Sequence, residues 1–196
     1  MSATIASLLE ALDNAADHSV ESLERILAEK MPSKEEIRSV AEVVMPYGRT
    51  LLKLTDKYEV IIGTWPKNGW CDAHDHGDAV GIVKSFGGDV VHLEYRMNGD
   101  CLELFCQSEI KDGEQARLAK GMIHALHNVS SDDPYVGLHL YSPPPVDVRV
   151  FDIKNGTIFH IANDAPSIIP TDPKDIIKVE EKCFSFKNLV REPEMA

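Results

Sequence analysis

From Tyr58 onward the chain is cut into short runs of β-branched and aromatic residues, each closed by a turn. Tyr58-Glu-Val-Ile-Ile-Gly-Thr-Trp65, Ala79-Val-Gly-Ile-Val-Lys-Ser-Phe86, Val90-Val-His-Leu-Glu-Tyr95 and Cys101-Leu-Glu-Leu-Phe-Cys106 are bounded by Pro66-Lys-Asn-Gly69, Gly87-Gly88, Asn98-Gly99-Asp100 and Asp112-Gly113. The series continues through 115–120, 122–128, 135–141 and 147–151. Runs of this length and spacing restrict the chain to a β-sandwich or barrel, so the fold class read from them is mainly β.

Ahead of the strands the periodicity is helical. Ile5, Leu8, Leu9 and Leu12 make one apolar stripe over residues 4–16, and Val20, Leu23, Ile26 and Leu27 make a second after Ser19. Ser33-Lys-Glu-Glu36 is a capping box, followed at helical spacing by Ile37, Val40, Ala41 and Val44, with Pro46 as the expected stop. The expected organisation is a helical segment over 1–46 packed on a barrel over 47–160. A tail over 161–196, rich in proline and charge, is expected to drape over the barrel.

The 196 residues suffice for one domain with a sizeable core, and the net charge of −12 would repel nucleic acid and anionic membrane surfaces. No basic start leads into an apolar run, and no apolar run is long enough to span a bilayer. The expectation is a cytoplasmic protein with no membrane or nucleic-acid partner; oligomeric state is not legible. Cys71, Cys101, Cys106 and Cys183 show no CxxC spacing, which points to free thiols.

The chemistry-bearing stretch is His74-Asp-His76. On an extended segment, two residues two apart face one way, so both imidazoles are offered to one ion. His124, in a comparable strand context, is the expected third ligand. Three neutral imidazoles form a facial site with open positions, suited by ligand softness to Fe(II), Zn(II), Ni(II) or Cu(II). Such a set adds no negative charge to the metal, so an anionic ligand such as a thiolate is well tolerated. Asp75 or Asp78 is the expected acceptor that orients the rings. His139 and Tyr141 fall on one face of a strand, with Leu138 and Leu140 on the other. His127 faces away from His124, Trp65 and Trp70 read as core residues, and His18, His92 and His160 have no motif around them.

Two spacings carry a resemblance. His74-x-His76-x4-Gly81-x6-Gly88 and Gly113-x5-Ala119-x-Gly121-x2-His124-x3-Asn128 resemble the two motifs of the cupin superfamily. Gly81 stands where that family usually has a glutamate ligand, and Ala119 where it often has proline. Adding Tyr47-Gly-Arg49, Asn128-Val-Ser130 and Gly137-Leu-His-Leu-Tyr141-Ser-Pro-Pro144, the stretch from about Tyr47 to Pro144 resembles the thiol dioxygenases of the cysteine dioxygenase type I family.

That resemblance implies a cupin double-stranded β-helix, a jelly-roll barrel, holding Fe(II) on His74, His76 and His124. It implies that Arg49 grips the substrate carboxylate, that Tyr47 helps line the pocket, and that His139 and Tyr141 sit beside the metal. The implied reaction joins L-cysteine and O2 to give cysteine sulfinic acid. A different small thiol, such as 3-mercaptopropionate or cysteamine, and a metal-binding cupin without catalysis are the alternatives. Vertebrate members carry at the Gly81 position a cysteine crosslinked to the tyrosine matching Tyr141. Gly81 cannot form that thioether, so its absence is expected here, as in bacterial relatives. Gly137 replaces a serine of the vertebrate Ser-His-Tyr row.

Overall fold

The computed structural model describes residues 2–129, 132–162 and 164–190. Three helices lead: α1 (Ala3–Asp13), α2 (Val20–Glu29) and α3 (Lys34–Val40). Ser2, Ser19 and Ser33 cap them, each hydroxyl accepting a backbone N–H of its own first turn, and the Ser33/Glu36 capping box forms in both directions. The third helix stops at Val40, short of Pro46, and Val44 is exposed rather than buried. The backbone of Glu42 is drawn off instead. Its N–H donates to the Thr50 hydroxyl at 3.2 Å, and its carbonyl accepts from the Thr64 hydroxyl.

Twelve strands follow: β1 (Gly48–Leu54), β2 (Glu59–Trp65), β3 (Val80–Ser85), β4 (Val90–Asn98), β5 (Cys101–Ile110), β6 (Gln115–Leu118), β7 (Ile123–His127), β8 (Tyr135–Ser142), β9 (Val148–Asp152), β10 (Thr157–Ile161), β11 (Ile176–Glu180) and β12 (Ser185–Asn188). One sheet has the order β1-β2-β8-β3-β6, a second β12-β5-β4-β7, and a third β11-β10-β9. The non-sequential orders are those of a jelly roll, in which neighbouring strands come from distant parts of the chain. The protein is mostly β, a jelly-roll barrel with helices at its N-terminus.

The helices pack on the outer face of the first sheet. Ile5, Leu8, Leu12, Leu23, Leu27 and Ile37 form one cluster with Val60, Ile62, Ile82, Leu138 and Leu140. Strand alternation then turns Glu59, Ile61, Gly63 and Trp65 of β2, and His139 and Tyr141 of β8, into the barrel. Both faces are therefore buried at β2 and β8, and these two strands read as near-continuous apolar runs.

Residues beyond 161, expected as a draped tail, supply β11 beside β10 and β12 in parallel register with β5. Residues 163 and 191–196 lie outside the described residues, as does Ser130 of the motif noted above. Among the described residues, no helix is long and apolar enough to cross a membrane.

Candidate metal centre

The segment carrying His74 and His76 is not a regular strand. It is threaded into the gap between β7 and β9. On one side His74 N–H and the His124 carbonyl, and His124 N–H and the His74 carbonyl, pair at 2.9 Å each. On the other, Asp75 N–H reaches the Arg149 carbonyl at 3.0 Å and Phe151 N–H reaches the Ala73 carbonyl at 2.8 Å. Bridged on both sides, His74 is placed next to His124. The chain then turns, with Gly77 at a φ of 59°, a conformation that favours glycine.

The two-residue spacing still delivers both rings to one point. The ring centroids of His74 and His76 are 4.9 Å apart, those of His74 and His124 4.6 Å, and those of His76 and His124 5.2 Å. One ligand nitrogen from each lies within 4.8 Å of the others.

Their protonation suits a cation. Burial drives all three below the usual histidine range, His74 to about 4 and the other two well below, so the rings are neutral and keep a lone pair. The Asp72 carbonyl accepts from His74 Nδ1 at 2.8 Å, which leaves Nε2 as the donor atom toward a metal. His124 Nδ1 is engaged by His92 Nε2 at 3.0 Å, while its Nε2 is buried and, among the described residues, without a partner. An unpartnered buried nitrogen beside two other neutral imidazoles is what a resident metal would satisfy. The residues present fit such an ion.

The ring-orienting groups differ from those expected. Asp75 is fully buried and pairs with Arg149, whose Nε donates at 2.9 Å and whose Nη2 also bonds it, and it accepts from Gly77 N–H at 3.3 Å. It braces the turn rather than a ring. Asp78 lies at the surface beside Lys120 at 3.0 Å. The orienting acceptors are a main-chain carbonyl, which no side-chain pattern signals, and His92. The role of His92 comes from the β4–β7 register, which sets Glu94 opposite His124 and His92, two residues earlier, on that same face.

Around the three histidines lies a pocket walled by strands of all three sheets. It takes in Tyr47, Arg49, Glu59, Trp65, Cys71, His139 and Tyr141, and Ala165 and Ser167 close it from the C-terminal segment. Tyr141 stacks on His76 at 4.7 Å, and its hydroxyl lies 2.9 Å from His139 Nδ1. Burial raises the Tyr141 phenol well above its usual range and lowers His139 to about 3, so both are neutral. Arg49 is ion-paired to Glu59, a residue that no motif of the sequence marks. The Tyr47 hydroxyl accepts from Ser167 N–H at 2.7 Å, and its ring stacks on Trp65 at 5.2 Å.

Trp65 is buried as expected, but Trp70 is 41% exposed. His127 is partly buried on the far side of β7, beside Trp70 and away from the histidine cluster. His160 sits elsewhere, held between Asp147 at 2.5 Å and Glu180 at 3.0 Å. The Cys71 thiol, which burial pushes up to about 12, is not a ready nucleophile.

Fold and site together define a jelly-roll β-barrel in which three neutral histidines are gathered so that they could hold a metal ion. Within that class the chain belongs to the cysteine dioxygenase type I family, whose family model matches residues 1–154. Curated relatives include cysteine dioxygenase type 1 of Danio rerio, 29% identical over 105 residues, and that of Bos taurus, 27% identical over 104. Each match covers 51% of this chain and 52% of the relative, so the chain spans about half the length of the curated relatives it matches. A solved structure from Klebsiella pneumoniae, described as an uncharacterised conserved protein with a double-stranded β-helix domain, superposes with a TM-score of 0.49. It is 16% identical, over 61% of this chain and 89% of that one.

Proposed function

We propose that the protein is an Fe(II)-dependent thiol dioxygenase that oxidises L-cysteine with O2 to cysteine sulfinic acid. The observation that carries this reading is the placement of Arg49 and the His139–Tyr141 pair in the same enclosed pocket as the three neutral histidines. A bare metal site needs neither a guanidinium nor a buried phenol.

His74, His76 and His124 would hold the iron, which supplies the thiolate affinity and O2 chemistry that side chains lack. Both atoms of O2 end on the substrate sulfur, so RSH and O2 balance to RSO2H with no other reductant. The Arg49 guanidinium would take the substrate carboxylate with the donors that Glu59 does not occupy. His139 and Tyr141 stay uncharged, and with His139 Nδ1–H donating to the Tyr141 oxygen the phenolic hydrogen is free to point at bound substrate. Tyr47, Trp65 and the Ala165–Ser167 stretch keep water away and hold the thiol in one orientation.

The expected lack of a thioether has a local basis. Gly81 is the cross-strand partner of Tyr141, and a Cβ there would lie 3.0 Å from Tyr141 Cδ1 and run into the Leu140 carbonyl oxygen. Position 81 thus neighbours the tyrosine ring but carries no sulfur. Gly137 likewise leaves His139 Nε2 buried without a hydroxyl partner among the described residues.

The test is O2 uptake by the iron-loaded protein with L-cysteine, 3-mercaptopropionate and cysteamine. Uptake with L-cysteine and formation of the sulfinate are expected. No uptake with any thiol would leave a metal-binding cupin without oxygenase activity. Uptake with cysteamine but not cysteine would remove Arg49 from its role.

A further inference from the structure

Glu59 is the one acidic side chain of β2, and the strand's alternation aims it inward with Ile61, Gly63 and Trp65. Its register partner on β8 is Tyr141. Its side chain is 7% exposed and that of Arg49 18%, so their ion pair forms inside the pocket rather than on its rim. Burial raises the Glu59 carboxyl above its usual range, and Arg49 offsets only part of that.

This arrangement changes what the pocket can accept. A lone arginine makes a wall that welcomes any carboxylate. Here an incoming carboxylate must share one guanidinium with a carboxylate already bound to it, leaving a surplus negative charge in a poorly solvated space. A ligand that brings an ammonium cancels that surplus, and one that is only anionic does not.

We propose that Glu59 is a specificity-determining residue. By pairing with Arg49 it makes this wall neutral overall, so the pocket selects small thiols bearing an ammonium, with or without a carboxylate, over thiols whose remaining group is only a carboxylate. The inference rests on the thiol-dioxygenase reading for its substrate class and deepens it. Zwitterionic L-cysteine is matched, cysteamine keeps the ammonium, and 3-mercaptopropionate is the mismatched case. The competing role for Glu59 is simply to hold Arg49 in place, and charge and position separate cleanly.

The experiment is anaerobic titration calorimetry of the iron-loaded protein with these three ligands, for the wild type, Glu59→Gln and Glu59→Asp. For Glu59→Gln the affinity ratio of L-cysteine to 3-mercaptopropionate falls about tenfold, because 3-mercaptopropionate gains, and cysteamine weakens. Glu59→Asp, which keeps the charge, keeps the wild-type ratio to within about twofold. Equal weakening of all three ligands by Glu59→Gln, or no change, overturns the proposal, as does a Glu59→Asp protein that shifts the ratio as far as Glu59→Gln. Should Glu59→Gln fail to fold, the wild type still decides. Cysteamine binding at least as tightly as 3-mercaptopropionate supports the proposal, and the reverse order overturns it. Absence of O2 uptake with every thiol defeats the dioxygenase reading without touching the binding order. An unchanged order with uptake intact defeats only the role of Glu59.

Discussion

Replacing Arg149 with methionine tests whether the metal loop is held by charge. Asp75 is fully buried, and the Arg149 side chain that neutralises it is 40% exposed. Its other bonds are long, from Gly77 N–H at 3.3 Å and Arg149 N–H at 3.4 Å. Methionine retains the apolar stem over Phe151, where the guanidinium carbon lies 5.7 Å from the ring centre, but removes the charge. Stripping one partner from a buried pair costs about 3–5 kcal/mol, and the partial exposure of Arg149 argues for the lower end, about 3. At about 2–4 °C per kcal/mol for a chain of this size, the melting temperature should fall by about 6–12 °C. Loosening the turn between His74 and His76 should also weaken metal binding by about tenfold or more. Adding Asp75→Asn removes the stranded charge and should restore about half or more of the lost stability. The assays are thermal denaturation of the metal-free proteins and competitive metal titration. A loss below about 1 kcal/mol for Arg149→Met, or a double variant no better than the single, would refute the reasoning.

Three further outcomes are expected. Arg49→Ala should raise KM for L-cysteine strongly with metal content unchanged, and should lower stability because Glu59 is left buried and unpaired; loss of metal would mean Arg49 has been misassigned. Metal-free protein should lose stability as pH falls from 6.5 toward 4: His74 and His139 titrate near 4 and 3 in the fold but near 6.5 when unfolded, so below 6.5 the unfolded chain binds more protons. A denaturation midpoint flat across that window would contradict the neutral assignment. Peptide mapping should find Tyr141 free, and a covalent link from it to any cysteine would contradict the reading of Gly81.

The helical stripes, the capping box and most of the strands were legible because each depends on neighbours close along the chain. So was the inward face of β8, where Leu138 and Leu140 join the helix-covered core and His139 and Tyr141 face the pocket. Less legible were strands whose pairing is remote. β1 carries polar residues that depend on β2 for their place, and β11 and β12 come from a stretch that reads as tail. α3 ends before the expected stop at Pro46 because hydroxyls on β1 and β2 capture the backbone of Glu42.

The sequence by itself pointed to three histidines for one ion and to a β scaffold, and its resemblance to the family added a guanidinium and a phenol beside them. A two-residue spacing and strand alternation are local geometry and survive even where the strand does not form. Only the tertiary structure decided what surrounds those groups. It set the His74 segment between β7 and β9, gave His74 a main-chain acceptor and His124 a partner in His92, turned Asp75 from a ring acceptor into a brace, and placed Glu59 on Arg49. Each of these joins side chains or carbonyls on different elements or at bends of the chain. The register of the sheets and the path of the loops bring them together, and neither is written in any single stretch of residues.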